Sequence, residues 1–232
     1  MFNGKMKAVT FSFDDGVTQD IRLIEIFNKY GLKCTFNLNS ELLGRDGRLE
    51  RDGKFCSHVK VQPSEVASVY KGHEVAVHTL THPNLTQIAD EKEIIRQVEK
   101  DRLNLSELCG YEVHGMAYPC GGVNNDDRVA KIIKENTGVK YSRTITSNYS
   151  FELQENLFRF NPTVYAYPEF DKMNELADEF IAKTFDSPKI LYIWAHAYEF
   201  DLCDGWDAFD AFCKKISGKG DIFYGTNSQI LL

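Results

Sequence analysis

No run of basic residues, no apolar stretch long enough to span a bilayer and no cysteine pair at CxxC spacing occurs in these 232 residues. Each absence removes a class of function. With 34 acidic against 27 basic residues and a net charge of −7, the chain offers little to nucleic acid or to an anionic membrane. Its six cysteines, Cys34, Cys56, Cys109, Cys120, Cys203 and Cys213, are scattered, without the spacing of a short secreted framework. Reduced thiols fit that pattern better than disulfides. The first dozen residues, MFNGKMKAVTFS, lack the apolar core of a secretion signal, so a cytoplasmic location is the expectation. Linkers, repeats and low-complexity tracts are also missing. One catalytic-sized domain over 1–232 is therefore expected.

What is present is alternation. Residues 7–13, KAVTFSF, read as a short apolar strand. Over 18–30 the apolar positions Ile21, Ile24 and Phe27 have helical spacing, with Thr18 as a possible N-cap and Gly31 as the stop. A second strand over 33–38 completes a βαβ unit and implies a parallel sheet. Residues 39–62 carry Gly44, Gly47, Gly53 and the turn-forming RDG twice, which predicts a loop or small hairpin insertion. His58, inside it, reads as a surface residue. Further strands are expected over 73–77, 113–118, 139–145, 157–164, 189–195 and 221–224. Helices are expected over 63–71, 90–108, 126–136, 171–184 and 206–216. The fold class is α/β, either a barrel or a doubly wound sheet. In both, ligand-competent residues collect at the carboxyl ends of the strands. Asp14, Asp15, His78, Cys120 and His196 all stand there.

Asp14, Asp15 and Gly16 follow the first strand directly. Asp-Asp-Gly is good turn chemistry in any loop. Two adjacent carboxylates at the mouth of a buried strand also repel each other, unless a cation or a strong donor sits beside them. Histidines four apart, His78 and His82, would share one face of a helical turn. With one carboxylate they form a three-ligand set that leaves positions on a divalent metal open, though two unrelated surface histidines give the same spacing. A zincin-type peptidase is excluded because Thr79 stands where HExxH needs Glu.

The motifs SFDDG at 12–16, HTLTHP at 78–83 and YPCG at 118–121, with an apolar strand ending in His196, resemble the polysaccharide deacetylase family, carbohydrate esterase family four. The likeness runs over about residues 7–200. It implies a distorted (β/α) barrel with about seven parallel strands and a metal-dependent hydrolase that removes N- or O-acetyl groups from carbohydrates. By that resemblance Asp15, His78 and His82 are the metal ligands, Asp14 the general base and His196 the general acid. The Cys120 N–H completes an oxyanion hole, and Tyr118 and Trp194 join it on the substrate side. Zinc is the expected ion, with cobalt, nickel or iron compatible with the same donors.

Three positions depart from the family. Its usual arginine at the fourth strand is Ala117 here; Arg143, at the end of the fifth, is the candidate to reach the same carboxylate. The usual aromatic is replaced by Cys120, and the leucine of the acetyl pocket by Trp194. No acidic partner for His196 stands out, with Glu199 and Asp201 as weak candidates. These departures bear on substrate, so a small non-sugar amide, or a metal-binding homologue without turnover, stands beside the acetylated carbohydrate. Aromatics Tyr165, Tyr167, Tyr198, Phe200 and Trp206 are candidates for a sugar-stacking rim.

Overall fold

Lys7–Asp14 (β1) is buried along its whole length, and in the computed structural model, which describes all 232 residues, the sheet is built outward from it. A strand covered on both faces can be almost wholly apolar, as KILYIWA is, while KAVTFSF buries Thr10 and Ser12 among its apolar residues. The other strands are β2 (Cys34–Leu38), β3 (Arg48–Arg51), β4 (Lys54–Ser57), β5 (Glu74–Val77), β6 (Gly115–Ala117), β7 (Tyr141–Arg143), β8 (Val164–Tyr165), β9 (Lys189–His196) and β10 (Ile222–Tyr224). Seven of them line up in the order β7-β6-β5-β2-β1-β9-β8, with β10 against the start of β1. Every pairing in that sheet is parallel. The expected distorted barrel is therefore the architecture. No helix is long and apolar enough to cross a membrane.

The sixth expected strand is a correction. Residues 157–164 divide into a 3-10 turn, Leu157–Arg159, a single bridge from Phe160 to Arg143, and the two-residue β8. Asn156 caps the turn by accepting from Phe158 N–H, and Pro162 has no N–H for a continuous ladder. Phe160 spans the gap between the sheet's ends, since its N–H donates to Ser142 O and its carbonyl accepts from Thr144 N–H.

The first helix runs Asp20–Tyr30 and buries Leu23, Ile24, Ile26 and Phe27. Ile21 points outward, and no side chain caps the start, so the Thr18 cap is not formed. Phe27 is fully buried against Phe11, Phe13 and Phe209, with ring centroids 4.8, 6.0 and 6.0 Å away. Phe27→Ala is expected to cost ~3–5 kcal/mol, because the ring's burial is lost and the close-packed neighbours cannot collapse into the space. Urea unfolding should show a lower midpoint at unchanged slope. The 39–62 segment carries the expected hairpin, β3 paired antiparallel to β4. It packs on the helix Glu199–Cys203, beside the strand ends.

Candidate active site

β1 ends on Asp14, and the parallel register sets Asp14 beside Asn37 of β2 on one side and His196 of β9 on the other. Asp15 and Gly16 then both adopt left-handed backbone, at φ 85° and 61°. Two such residues in succession turn the chain sharply out of the sheet. Only glycine fits the second place, where a Cβ would stand 2.7 Å from Leu38 Cδ2.

Asp15, His78 and His82 bring their ligand atoms within 4.8 Å of one another. His78 Nδ1 lies 2.8 Å from Ala117 O, so Nδ1 carries the proton and Nε2 keeps its lone pair. Such an outer contact is how metal-binding imidazoles are commonly oriented. Nε2 of His82 is 3.7 Å from Asp15 Oδ1. Burial pushes both imidazoles below their usual range, His78 to about 4, which keeps them in the neutral, ligating form. Burial alone would raise the Asp15 carboxyl, but the His58 hydrogen bond and the Lys60 charge hold it well below the ordinary range. Two neutral nitrogens and one carboxylate therefore fit a divalent ion.

The two histidines do not share a helical turn. Residues 78–84 are irregular, and the pair converges because Thr79 and His82 are left-handed, at φ 69° and 62°. Three supports hold that shape. Thr79 Oγ1 accepts from His82 N–H at 3.1 Å. Asn39 Nδ2 donates to the carbonyls of both His78 and Thr79. Asp101, fully buried, accepts from His78 N–H at 3.2 Å and from Ser40 N–H at 2.7 Å. The long helix Glu91–Cys109 widens to a π turn at Arg96–Lys100, and there Gln97 O accepts from Leu80 N–H at 3.0 Å. Widened turns are frequent at functional sites.

Asp14 faces a different partner. Arg143 is fully buried, and its Nη2 donates to Asp14 Oδ1 at 2.6 Å and also contacts Oδ2. The guanidinium is fixed by Ser12 Oγ at 3.2 Å and Thr144 O at 3.0 Å, and its carbon lies 4.5 Å from the Trp194 ring centroid. Asn37 Nδ2 adds a hydrogen bond to Asp14 Oδ1 at 2.8 Å. Burial would raise the Asp14 carboxyl; the charges of Arg143, His78 and His196 outweigh it and hold it down.

Across from these, His196 Nδ1 lies 3.2 Å from Glu199 Oε1. Burial would lower this imidazole, but the Glu199 carboxylate, helped by Asp15 and Asp14, pushes it up to about 9. His196 is therefore protonated at neutral pH. Cys120 is left-handed at φ 68°, and its N–H donates to no acceptor within the protein. Asp14, Asp15, His78, His82, Cys120 and His196 open on a cleft of ≈ 620 Å³, lined also by Tyr118, Tyr165, Trp194 and Tyr198.

A sequence model described as "Polysaccharide deacetylase" matches residues 3–141, more than half of the chain. The chain belongs to the polysaccharide deacetylase family. The fold is similar to that of peptidoglycan deacetylase PdaC from Bacillus subtilis (TM-score 0.57, 19% identity, covering 99% of this chain and 91% of that one). It is similar also to a family 4 acetyl xylan esterase from Clostridium thermocellum solved with a cobalt ion (TM-score 0.59, 13% identity, 96% and 89%). A third similar structure is a mutant of a family 4 pseudoenzyme with restored activity (TM-score 0.55, 18% identity, 99% and 68%). No curated protein matches the sequence.

In this family member, the residues expected as metal ligands, base, acid and nearest substrate contacts lie in or against the cleft. Asp14, Asp15, His78, His82, Tyr118, Cys120, Trp194 and His196 line it, and Arg143 lies directly behind Asp14. The Tyr118 hydroxyl donates to Phe158 O, so it is turned away from the cleft into the protein. The aromatic rim is corrected: Tyr165 and Tyr198 line the cleft, while Phe200 and Trp206 pack into the core and Tyr167 is outside the lining. His58 is a further correction. It is not a free surface residue, because its Nε2 lies 3.3 Å from Asp15 Oδ2. Lys60, from the same insertion, donates to Asp15 O at 2.6 Å. His58, Lys60, Asn37, Asn39 and Asp101 were not legible as site residues, because each acts through a contact distant in sequence. Glu199, one of the two acidic candidates, is the partner of His196; Asp201 instead accepts from Gln19 and from the Trp206 indole.

Proposed function

We propose that this chain is a metal-dependent deacetylase that hydrolyses an N- or O-acetyl group on a carbohydrate. One observation carries the reading: a three-donor metal set, an arginine-held carboxylate and a carboxylate-held histidine converge on one cleft. Asp15, His78 and His82 would hold the ion, and a divalent cation there polarises an acyl carbonyl and acidifies water. Asp14 takes the proton of the attacking water, with Arg143 and Asn37 keeping its carboxylate ionised and aimed. The Cys120 N–H donates to the oxygen on which charge develops. His196, already protonated, gives its proton to the departing nitrogen or oxygen. The six free cysteines support the proposal that the protein works in the cytoplasm.

The test is metal-loaded protein assayed on acetylated sugars, acetate esters and small amides. Asp14→Asn is expected to lower kcat roughly 10²- to 10⁴-fold, because the base is lost, while metal content stays at the wild-type level. Asn hydrolysing as fast as Asp would refute the base assignment. A small-amide hydrolase is the second reading, favoured by Trp194: its indole stacks on Tyr165 at 4.0 Å and occupies space beside Asp14's arginine. Turnover of small amides with none on acetylated sugars would select it.

A further inference from the structure

The carboxylate that faces His196 is controlled from a distance. Glu199 is fully buried, and a buried carboxylate is stable only when its charge is answered. Its Oε2 accepts from His196 N–H at 3.0 Å. Its Oε1 is shared: His196 Nδ1 stands 3.2 Å away, the Tyr165 hydroxyl donates to it, and Arg51 Nη1 donates to it at 2.9 Å. Arg51 lies on β3 of the inserted hairpin, 148 positions from Glu199 in sequence. The same hairpin is fastened to the same helix by Lys54 Nζ, which donates to Leu202 O at 2.9 Å.

Resting on the deacetylase reading for its catalytic meaning, we propose that Arg51 is a positioning residue that acts through Glu199 to set how tightly His196 holds its proton. The sign of the effect does not depend on where the shared proton sits. Treat His196 and Glu199 as one unit that binds a single proton near neutral pH. Losing that proton leaves the unit with a net negative charge, and Arg51 stabilises that state more than the neutral one. Without Arg51 the unit therefore binds its proton more tightly. The other charged or titratable groups facing His196 are Asp14 and Asp15 from the β1 end, His82, Tyr165 and Tyr198. Of these, Tyr165 and Tyr198 also stand beside Arg51, but burial pushes both phenols up, so they stay neutral with or without it and the change falls on the Glu199 charge. The hairpin thus makes the acid strength of His196 conditional on its own docking, and does so from an element that also contributes His58 and Lys60 to Asp15.

The direct readout is the titration of His196 by NMR of labelled imidazole in the full-length protein, which requires no substrate. In Arg51→Ala the midpoint should rise by roughly half a unit to one unit, the attenuated effect of a partly exposed charge. Arg51→Lys, which keeps the charge, should bring it most of the way back. On any hydrolysed substrate, Arg51→Ala should lower kcat roughly tenfold with KM little changed, and move the alkaline limb of the pH profile upward. An unmoved His196 midpoint in a folded Arg51→Ala variant would overturn the proposal. If no acetylated substrate is turned over, the deacetylase reading fails while the NMR titration still decides the coupling. Far-UV circular dichroism and the unchanged titration of His73, which lies elsewhere in the core, separate loss of coupling from loss of fold.

Discussion

Arg143→Ala is expected to lower turnover roughly 10²- to 10³-fold and the unfolding free energy by ~3–5 kcal/mol. Both losses come from one pair. Arg143 and Asp14 are each buried, so removing the cation leaves a largely desolvated carboxylate without its counter-charge. Asn37 alone cannot neutralise that charge, since a neutral amide supplies a single hydrogen bond. The carboxylate then protonates or shifts, and either response removes the base. Arg143→Lys should rescue little. The guanidinium reaches Asp14, Ser12 Oγ and Thr144 O at once, and an ammonium cannot reproduce that fork. Metal content should remain at the wild-type level, because no ligand contacts Arg143. Urea unfolding, kcat and metal analysis check the three parts separately. Near-wild-type turnover would mean that Asp14 is oriented by something else.

The arginine's place also shows what the sequence can and cannot disclose. The family arginine is absent at Ala117, yet the β6–β7 register pairs Ala117 with Arg143. The charge has moved one strand sideways at the same height, and the long side chain covers the difference. A residue at the end of an apolar strand is legible because every parallel strand delivers its carboxyl end to the same mouth. That is why Asp14, Asp15, His78, Cys120 and His196 could be read from strand ends alone. The insertion behaves differently. His58, Lys60 and Arg51 look like ordinary loop charges, since nothing in RDGRLERDGKFCSHVK says which way a hairpin folds back. Their roles follow from contacts distant in sequence, Arg51 with Glu199 across 148 positions, and His58 and Lys60 with Asp15 across 43 and 45. Local periodicity carries no record of such a contact. The HxxxH pair marks a second limit. Its spacing suggested a helical turn, but the imidazoles meet through left-handed Thr79 and His82, a conformation that a non-glycine sequence does not advertise. Asp101 and the π turn before it hold that loop from behind, and a π turn leaves no distinct residue pattern.

The second large effect is expected on removal of the metal. Exhaustive chelation should reduce turnover by roughly 10³-fold or more, since without the ion the water is not acidified and the acyl carbonyl is not polarised. The fold should survive. A structural zinc site unfolds when emptied, because its ligands have no other partners. Here the Asp15 carbonyl accepts from Lys60, and the carboxylate has Lys60 Nζ at 3.4 Å and His58 Nε2 at 3.3 Å. His78 is tied through Nδ1 to Ala117 O and through its N–H to Asp101. The three proposed ligands should therefore stay in place without an ion, and the barrel beneath them should not depend on one. Far-UV circular dichroism should be unchanged, while the melting temperature falls by the linkage term. That term is roughly 3–4 kcal/mol if the ion had been held at a hundred to a thousand times its Kd. Adding Zn2+ or Co2+ should restore both turnover and melting temperature in wild type. In Asp15→Ala it should restore neither, because two imidazoles without their carboxylate bind a divalent ion weakly. Full turnover in protein shown by elemental analysis to be metal-free would remove the metal from the reaction. Unfolding on chelation would instead show that Lys60 and His58 do not support Asp15 as their contacts imply.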